Sequence, residues 1–273
     1  MVTLGVGKNM VRSIRFWTQA SGICAPAKKG GGNSLTRFGS EVFREDGLDP
    51  FLEDVRTLWL IHWKLSTDAA SPLLAWDYLL NRWQDPEFFS STVTQVLHKE
   101  AIMCEAGVSR ATVERHFDAF LHTYLPTRGR KVNILEENLD SPLVELELIL
   151  KVGDRELETS SGTREPVYAF RRESKPDVTS ELFLFCLNDF WQKRHPNDGT
   201  LSVKEVAHGH GGPGQIFKLP EEDVRARVGE LARQTNEVFS YSESAIQQEI
   251  RRQDELDSIE LLRAIYWMEV ADA

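Results

Sequence analysis

The stretch Lys8-Asn9-Met10-Val11-Arg12-Ser13-Ile14-Arg15-Phe16-Trp17-Thr18-Gln19-Ala20 decides how the rest of the chain is read. Met10, Val11, Ile14 and Trp17 recur at the spacing of one helical face. Lys8, Arg12, Arg15 and Gln19 share the opposite face. The pattern predicts an amphipathic helix over residues 8–20, with Gly22 placed just past its end as a C′ residue.

Downstream, Cys24–Ser34 is a loop rich in Lys and Gly, carrying Lys28, Lys29 and Gly30-Gly31-Gly32. Leu35-Thr36-Arg37-Phe38-Gly39 then leads into a short helix through Phe43. A helix with an apolar inner stripe and a cationic outer stripe suits a recognition helix, whose cations meet phosphates and whose polar groups meet base edges. The basic loop fits a wing beside it. The succession resembles winged helix-turn-helix domains and nominates Lys8, Asn9, Arg12, Arg15, Gln19, Lys28 and Lys29 as DNA contacts. A solvated basic face and a protein-docking face fit the same residues.

A second candidate is Ala106-Gly107-Val108-Ser109-Arg110-Ala111-Thr112-Val113-Glu114-Arg115, which resembles the turn and second helix of a helix-turn-helix. Gly107 permits the turn, Ser109 caps the helix, and Val113, Phe117 and Tyr124 point inward. Arg110 and Arg115 face outward as secondary DNA contacts, next to Glu114 and Asp118, which repel phosphates.

The chain has 273 residues, 32 Lys+Arg against 42 Asp+Glu, and a net charge of −10. That total conceals a split. Residues 1–44 hold seven bases and one acid, a net +6, so the remainder carries −16. Residues 136–165 hold nine acids against three bases, and residues 181–273 hold seventeen against ten. Such asymmetry says more about partners than the total does. The 41% hydrophobic content excludes wholesale disorder. No apolar run approaches the ~20 residues of a membrane span, so no membrane role is expected. Cys24, Cys104 and Cys186 fit neither a zinc spacing nor a disulfide framework, and Met1 opens onto no signal-peptide pattern; the expected compartment is the cytoplasm.

Helices are expected over 51–65, 71–83, 90–103, 109–124, 176–193, 202–207, Pro220 to about residue 234, and 244–270. Strands are expected over 143–152, where Leu143-Val144-Glu145-Leu146-Glu147-Leu148 alternates at period two, and 167–172, joined through Asp154–Thr163. The expected fold is mainly α with small β hairpins, built from tandem winged helix-turn-helix-like units. Three segments follow: 1–88, a winged-helix-like unit plus an aromatic helical pair; 89–175, a second helix-turn-helix with a hairpin; and 176–273, a helical domain.

Other chemistry is sparse. Gly5-Val6-Gly7-Lys8-Asn9 lacks the first Gly and the hydroxyl of a phosphate-binding loop. His208 and His210 fall short of the three or four ligands of a zinc site. Asp49, Glu53 and Asp54 read as a turn and a helix start, and Glu221, Glu222 and Asp223 as a helix first turn. No nucleophile constellation is present. No catalytic residue, metal ligand or cofactor is expected.

Gly5-Val6-Gly7-Lys8-Asn9-Met10-Val11 with Ile14-Arg15-Phe16-Trp17 also resembles a bacterial family of unknown function. Further landmarks are Leu35-Thr36 with Phe38-Gly39, Asp49-Pro50-Phe51-Leu52-Glu53-Asp54, Leu58-Trp59-Leu60-Ile61-His62-Trp63-Lys64-Leu65, and Gly212-Pro213-Gly214-Gln215-Ile216-Phe217-Lys218-Leu219. The resemblance spans nearly the whole chain. It implies a companion of DNA phosphorothioation genes, beside sulfurtransferases of the phosphoadenylylsulfate-reductase type, in antiviral modification and restriction systems. It supplies no catalytic residues. Members of that family carry a segment before the position of Leu4; without it, Met10, Ile14 and Trp17 are expected to be exposed or covered by another surface.

The resulting expectation is a non-enzymatic component of a DNA sulfur-modification system that engages duplex DNA, sulfur-modified DNA included, and proteins of the modification or restriction complex. A homodimer is left open. The rival is an adaptor whose acidic body docks a basic sulfurtransferase or nuclease without touching DNA. A third class is a metal-dependent nuclease using acids near Asp49 and Glu53.

Overall fold

The computed structural model describes residues 5–27, 31–103, 107–126, 141–156, 162–235, 238–244 and 248–267. Helix α1 (Lys8–Ala20) is followed by a two-stranded antiparallel hairpin, β1 (Cys24–Pro26) and β2 (Asn33–Leu35), and then by α2 (Arg37–Phe43). Helix α3 (Val55–Thr67) is apolar almost all round and is buried accordingly. Asp54 caps it by accepting from the Arg56 amide.

From there the chain traces one path twice. Helix α4 (Leu74–Asp77) runs on into a π-helical turn (Tyr78–Arg82). Then come β3 (Glu87–Phe88), α5 (Ser90–Met103), α6 (Arg110–Tyr124), β4 (Ile149–Glu156) and β5 (Arg164–Phe170). The second pass is α7 (Ser180–Arg194), β6 (Thr200–Ser202), α8 (Val203–His208), the short α9 (Pro213–Phe217), α10 (Glu221–Gln234), β7 (Phe239–Glu243) and β8 (Gln248–Arg252). Each pass forms a three-stranded antiparallel sheet whose first strand pairs with its third, in the orders β3-β5-β4 and β6-β8-β7. Helix α11 (Ser258–Tyr266) closes the chain against α7.

A single core joins these parts, from Val42 to Ile265. Its centre is an ordered hydrogen-bond chain. The Trp76 indole donates to the Tyr124 hydroxyl at 3.0 Å. That hydroxyl meets His62 Nδ1 at 2.7 Å, and His62 Nε2 meets the Ile216 carbonyl at 3.0 Å. The carbonyl fixes the tautomer, because only a protonated Nε2 can donate to it. Burial then holds the imidazole neutral and lowers its pKa to about 4. The landmark 212–219 is buried throughout. Its Lys218 takes a left-handed backbone (φ 55°) and sends its Nζ to the Leu80 carbonyl, in the middle of the π-helical turn, at 2.6 Å. Gly211 donates to the Asn81 side chain at 2.7 Å, so the second pass is bolted to the first.

The mainly α architecture with small β elements agrees with the sequence, but three expectations are corrected. The strand expected from residue 143 begins at Ile149, because Pro142–Leu146 forms a 3-10 turn that buries Leu143 and Leu146 and ends at Glu147 with φ 45°. The helix expected over 71–83 is an α turn followed by a π turn. The helix expected over 244–270 is strand β8, a break and α11. Among the described residues no helix is long and apolar enough to cross a membrane.

Candidate nucleic-acid interface

Helix α1 starts at Lys8 on Gly7, with no side-chain cap and no acid in its first turn. Among the described residues, no side chain or acid therefore meets its first amide groups and the positive end of its dipole. It ends where Ser21 Oγ donates to the Trp17 carbonyl and Gly22 turns left-handed (φ 69°), as its C′ position requires. Three contacts lock the hairpin to the helix and to α2. Gln19 Nε2 donates to Asn33 Oδ1 at 2.8 Å. Thr36 Oγ1 donates to the Gly22 carbonyl at 2.6 Å and accepts from the Gly39 amide at 2.9 Å. Gly39 lies so close to the hairpin that a Cβ there would sit 2.0 Å from the Ile23 carbonyl oxygen.

Lys8, Asn9, Arg12 and Arg15 are exposed along this helix. No ion pair within the described residues engages Lys8, Arg12 or Arg15. The one acid of the segment, Glu41, is held by Arg263 at 2.8 Å. Gln19 is only partly exposed and faces the hairpin as well as the helix surface. Lys28 and Lys29 lie outside the described residues.

The two other helices that precede a hairpin look different. On α6, Arg110 and Arg115 are exposed, but Arg110 is paired with Glu114 at 3.2 Å, and Asp118 is exposed beside them. On α10, Glu221 and Glu222 open the exposed face that Arg225 and Arg233 continue. Of these three helices, α1 alone presents exposed cations with no acid among its described residues.

The remaining candidates are occupied structurally. Asp49 is buried and accepts from the Glu53 amide at 2.9 Å, the Asp54 amide at 3.1 Å and the Thr57 hydroxyl at 2.6 Å. Asp54 pairs with Arg56. His208 pairs with Glu221 at 2.7 Å and His210 with Asp77 at 2.8 Å, so the two histidines serve different carboxylates. Among the described residues no three His, Cys, Asp or Glu side chains converge as a metal site would need.

Sequence reasoning gave Asn33 and Phe16 no role. Asn33 tethers the hairpin; a lone polar residue in a Gly-rich loop carries no signal for that. Phe16 is 49% exposed on the flank of the cationic stripe, its ring edge-on to Trp17. Of the three residues expected to be exposed or covered by another surface, Met10 and Ile14 are exposed, whereas Trp17 packs on the core, against Trp76, with Ala20 beside it on the same helix.

A family model described as a protein of unknown function, DUF4007, matches residues 1–266. The chain belongs to that family. Among solved structures it is similar to magnesium ion-bound SspB, with a TM-score of 0.82 and 25% identity over 97% of this chain and 77% of that one. A second SspB crystal structure gives a TM-score of 0.78 at 23% identity, covering 97% of this chain and 76% of that one. No curated protein matches the chain.

Proposed function

We propose that this protein is a non-enzymatic component of a bacterial DNA sulfur-modification and defence system, and that it engages duplex DNA through α1 and the β1-β2 hairpin. The observation that carries the reading is the acid-free, unpaired cationic stripe of Lys8, Arg12 and Arg15 on a helix locked to a hairpin. The phosphorothioation setting rests on the family resemblance, and the likeness to SspB fits it. The two repeated passes, each running helix, strand, helices and hairpin with the same strand order, fit winged-helix-like units. The proposed segments 1–88, 89–175 and 176–273 divide the chain near these passes, with α4 and β3 of the first pass falling within 1–88. In this reading α1 supplies phosphate contacts, with Asn9 and Gln19 beside the groove floor. Arg110 and Arg115 are secondary, because their acids cancel much of their field.

A fluorescence-anisotropy titration with a short duplex tests this. The intact protein is expected to bind, and Arg12→Glu with Arg15→Glu to abolish binding while leaving thermal stability unchanged. Full binding by the double variant would overturn the site. Supercoiled plasmid incubated with Mg²⁺ or Mn²⁺ is expected to stay intact; nicking would place the protein among metal-dependent nucleases instead.

The adaptor reading has one observation in its favour. Acids interleave with the arginines on α6 and α10, which suits those two faces to a basic protein. Co-purification with a partner protein and no affinity for duplex DNA would select it.

A further inference from the structure

The backbones of α1, the β1-β2 hairpin and α2 pack chiefly on one another, so side chains must fix this unit on the rest of the molecule. Two anchors hold its ends. Trp17 of α1 meets Trp76, with ring centroids 5.9 Å apart. Glu41 of α2 accepts forked hydrogen bonds from the Arg263 guanidinium at 2.8–3.0 Å. Between these anchors lies Lys64, in the last turn of α3, with its side chain only 18% exposed.

The carbon stem of Lys64 runs past Gly22, where an added Cβ would lie 3.8–4.0 Å from it. Its Nζ is 5.4 Å from the centre of the Phe38 ring on α2 and 5.1 Å from that of Phe185 on α7. Both distances lie within the ~6 Å reach of a cation over an aromatic face. The same Nζ is 3.5 Å from Asp189 on α7. That carboxylate is itself fixed, because it accepts from the Trp63 indole at 2.8 Å and pairs with Lys193 at 2.7 Å. The chain enters the hairpin at Gly22 and leaves it towards Phe38, so one side chain touches both legs and joins them to a rigid post on α7. An apolar residue in this place could cover the rings but would have no tie to Asp189.

We propose that Lys64 is a positioning residue for the duplex interface: it pins both legs of the hairpin to α7 and so sets the angle at which α1 and the hairpin stand on the body. The inference rests on reading α1 and the hairpin as that interface. Lys64 meets no phosphate itself, since its amine is committed to two rings and a carboxylate.

Hydrogen exchange and duplex binding of the full chain test this, with Lys64→Leu and Phe38→Leu singly and combined. Leucine keeps the contact with Gly22, and Asp189 keeps Lys193 and Trp63, so Lys64→Leu is expected to fold. Amides of the hairpin and the start of α2 are expected to exchange about 10-fold faster in Lys64→Leu, with α6 and α10 unchanged. Because Lys64 acts through Phe38, the combined variant is expected to exceed either single one only slightly. Duplex affinity is expected to fall at least ~3-fold, while the slope of log affinity against log salt stays put; a slope shallower by about 0.9 would make Lys64 a phosphate contact instead. Unchanged exchange in the hairpin, an equal rise in α6 and α10, additive effects of the two substitutions, or that shallower slope would each overturn the proposal. If the unaltered protein binds no duplex, the functional reading fails, and the exchange comparison alone decides whether Lys64 pins the hairpin.

Discussion

At the scale of single residues, His62 ties the fold to pH. Its folded pKa is lowered from 6.5 to about 4 by burial, with the nearby Lys218 acting in the same direction. Between those values the unfolded chain binds a proton that the folded chain refuses. The stabilisation is therefore complete above pH 6.5 and is lost as pH falls towards 4. The lowering corresponds to about 3 kcal/mol at full expression. Melting temperature measured from pH 7 to pH 4.5 is expected to fall, and His62→Asn to flatten that decline. A decline as steep in the variant would assign the effect to other groups. No sequence pattern marked this residue, since a histidine within an apolar run reads only as core; its partners Tyr124 and Ile216 lie 62 and 154 positions away.

At the scale of elements, what local pattern encodes was legible and what tertiary packing imposes was not. Helices α1, α5, α6 and α10 keep a 3.6-residue period, with a side-chain cap at Ser109 for α6 and a left-handed Gly22 just after α1, and they fall where the sequence places them. Strand β8 reads Gln-Glu-Ile-Arg-Arg with only Ile250 buried, so nothing in its composition separates it from a polar helix. It is a strand because it is hydrogen-bonded on both sides, to β6 and β7. The cationic stripe of the candidate site was equally readable. The hairpin's attachment was not, because it depends on one missing side chain. Gly39→Ala must force its new methyl into the Ile23 carbonyl, so α2 and the hairpin have to separate. A loss of about 1–3 kcal/mol is expected, with a parallel fall in duplex binding; an unchanged melting curve would show that the hairpin is not held this way.

At the scale of the whole molecule, the net −10 is a poor guide to what the protein meets. Its positive end holds a single acid, Glu41, which Arg263 neutralises, and the −16 of the remainder is spread over faces that pair many of their own charges. A duplex approaching α1 meets three cations, and their contribution should appear as salt dependence. The logarithm of affinity is expected to fall with the logarithm of salt at a slope of about −3, near −0.9 for each phosphate neutralised. Isothermal binding at several salt concentrations reads this slope directly. A flat response would turn attention to the acidic body and to a protein partner.

The clasp between the two ends of the chain has a consequence for the order in which the protein is made. Arg56 donates to the Ile265 carbonyl and Thr57 meets the Tyr266 hydroxyl, each across 209 positions, and Glu41 waits for Arg263 across 222. At a synthesis rate of about 5–20 residues per second, α3 emerges some 10–40 s before its partners. During that interval the Arg56 guanidinium, the Thr57 hydroxyl and the Glu41 carboxylate lack the partners that the finished fold gives them, so the start of α3 reaches its final arrangement only after α11 has been made.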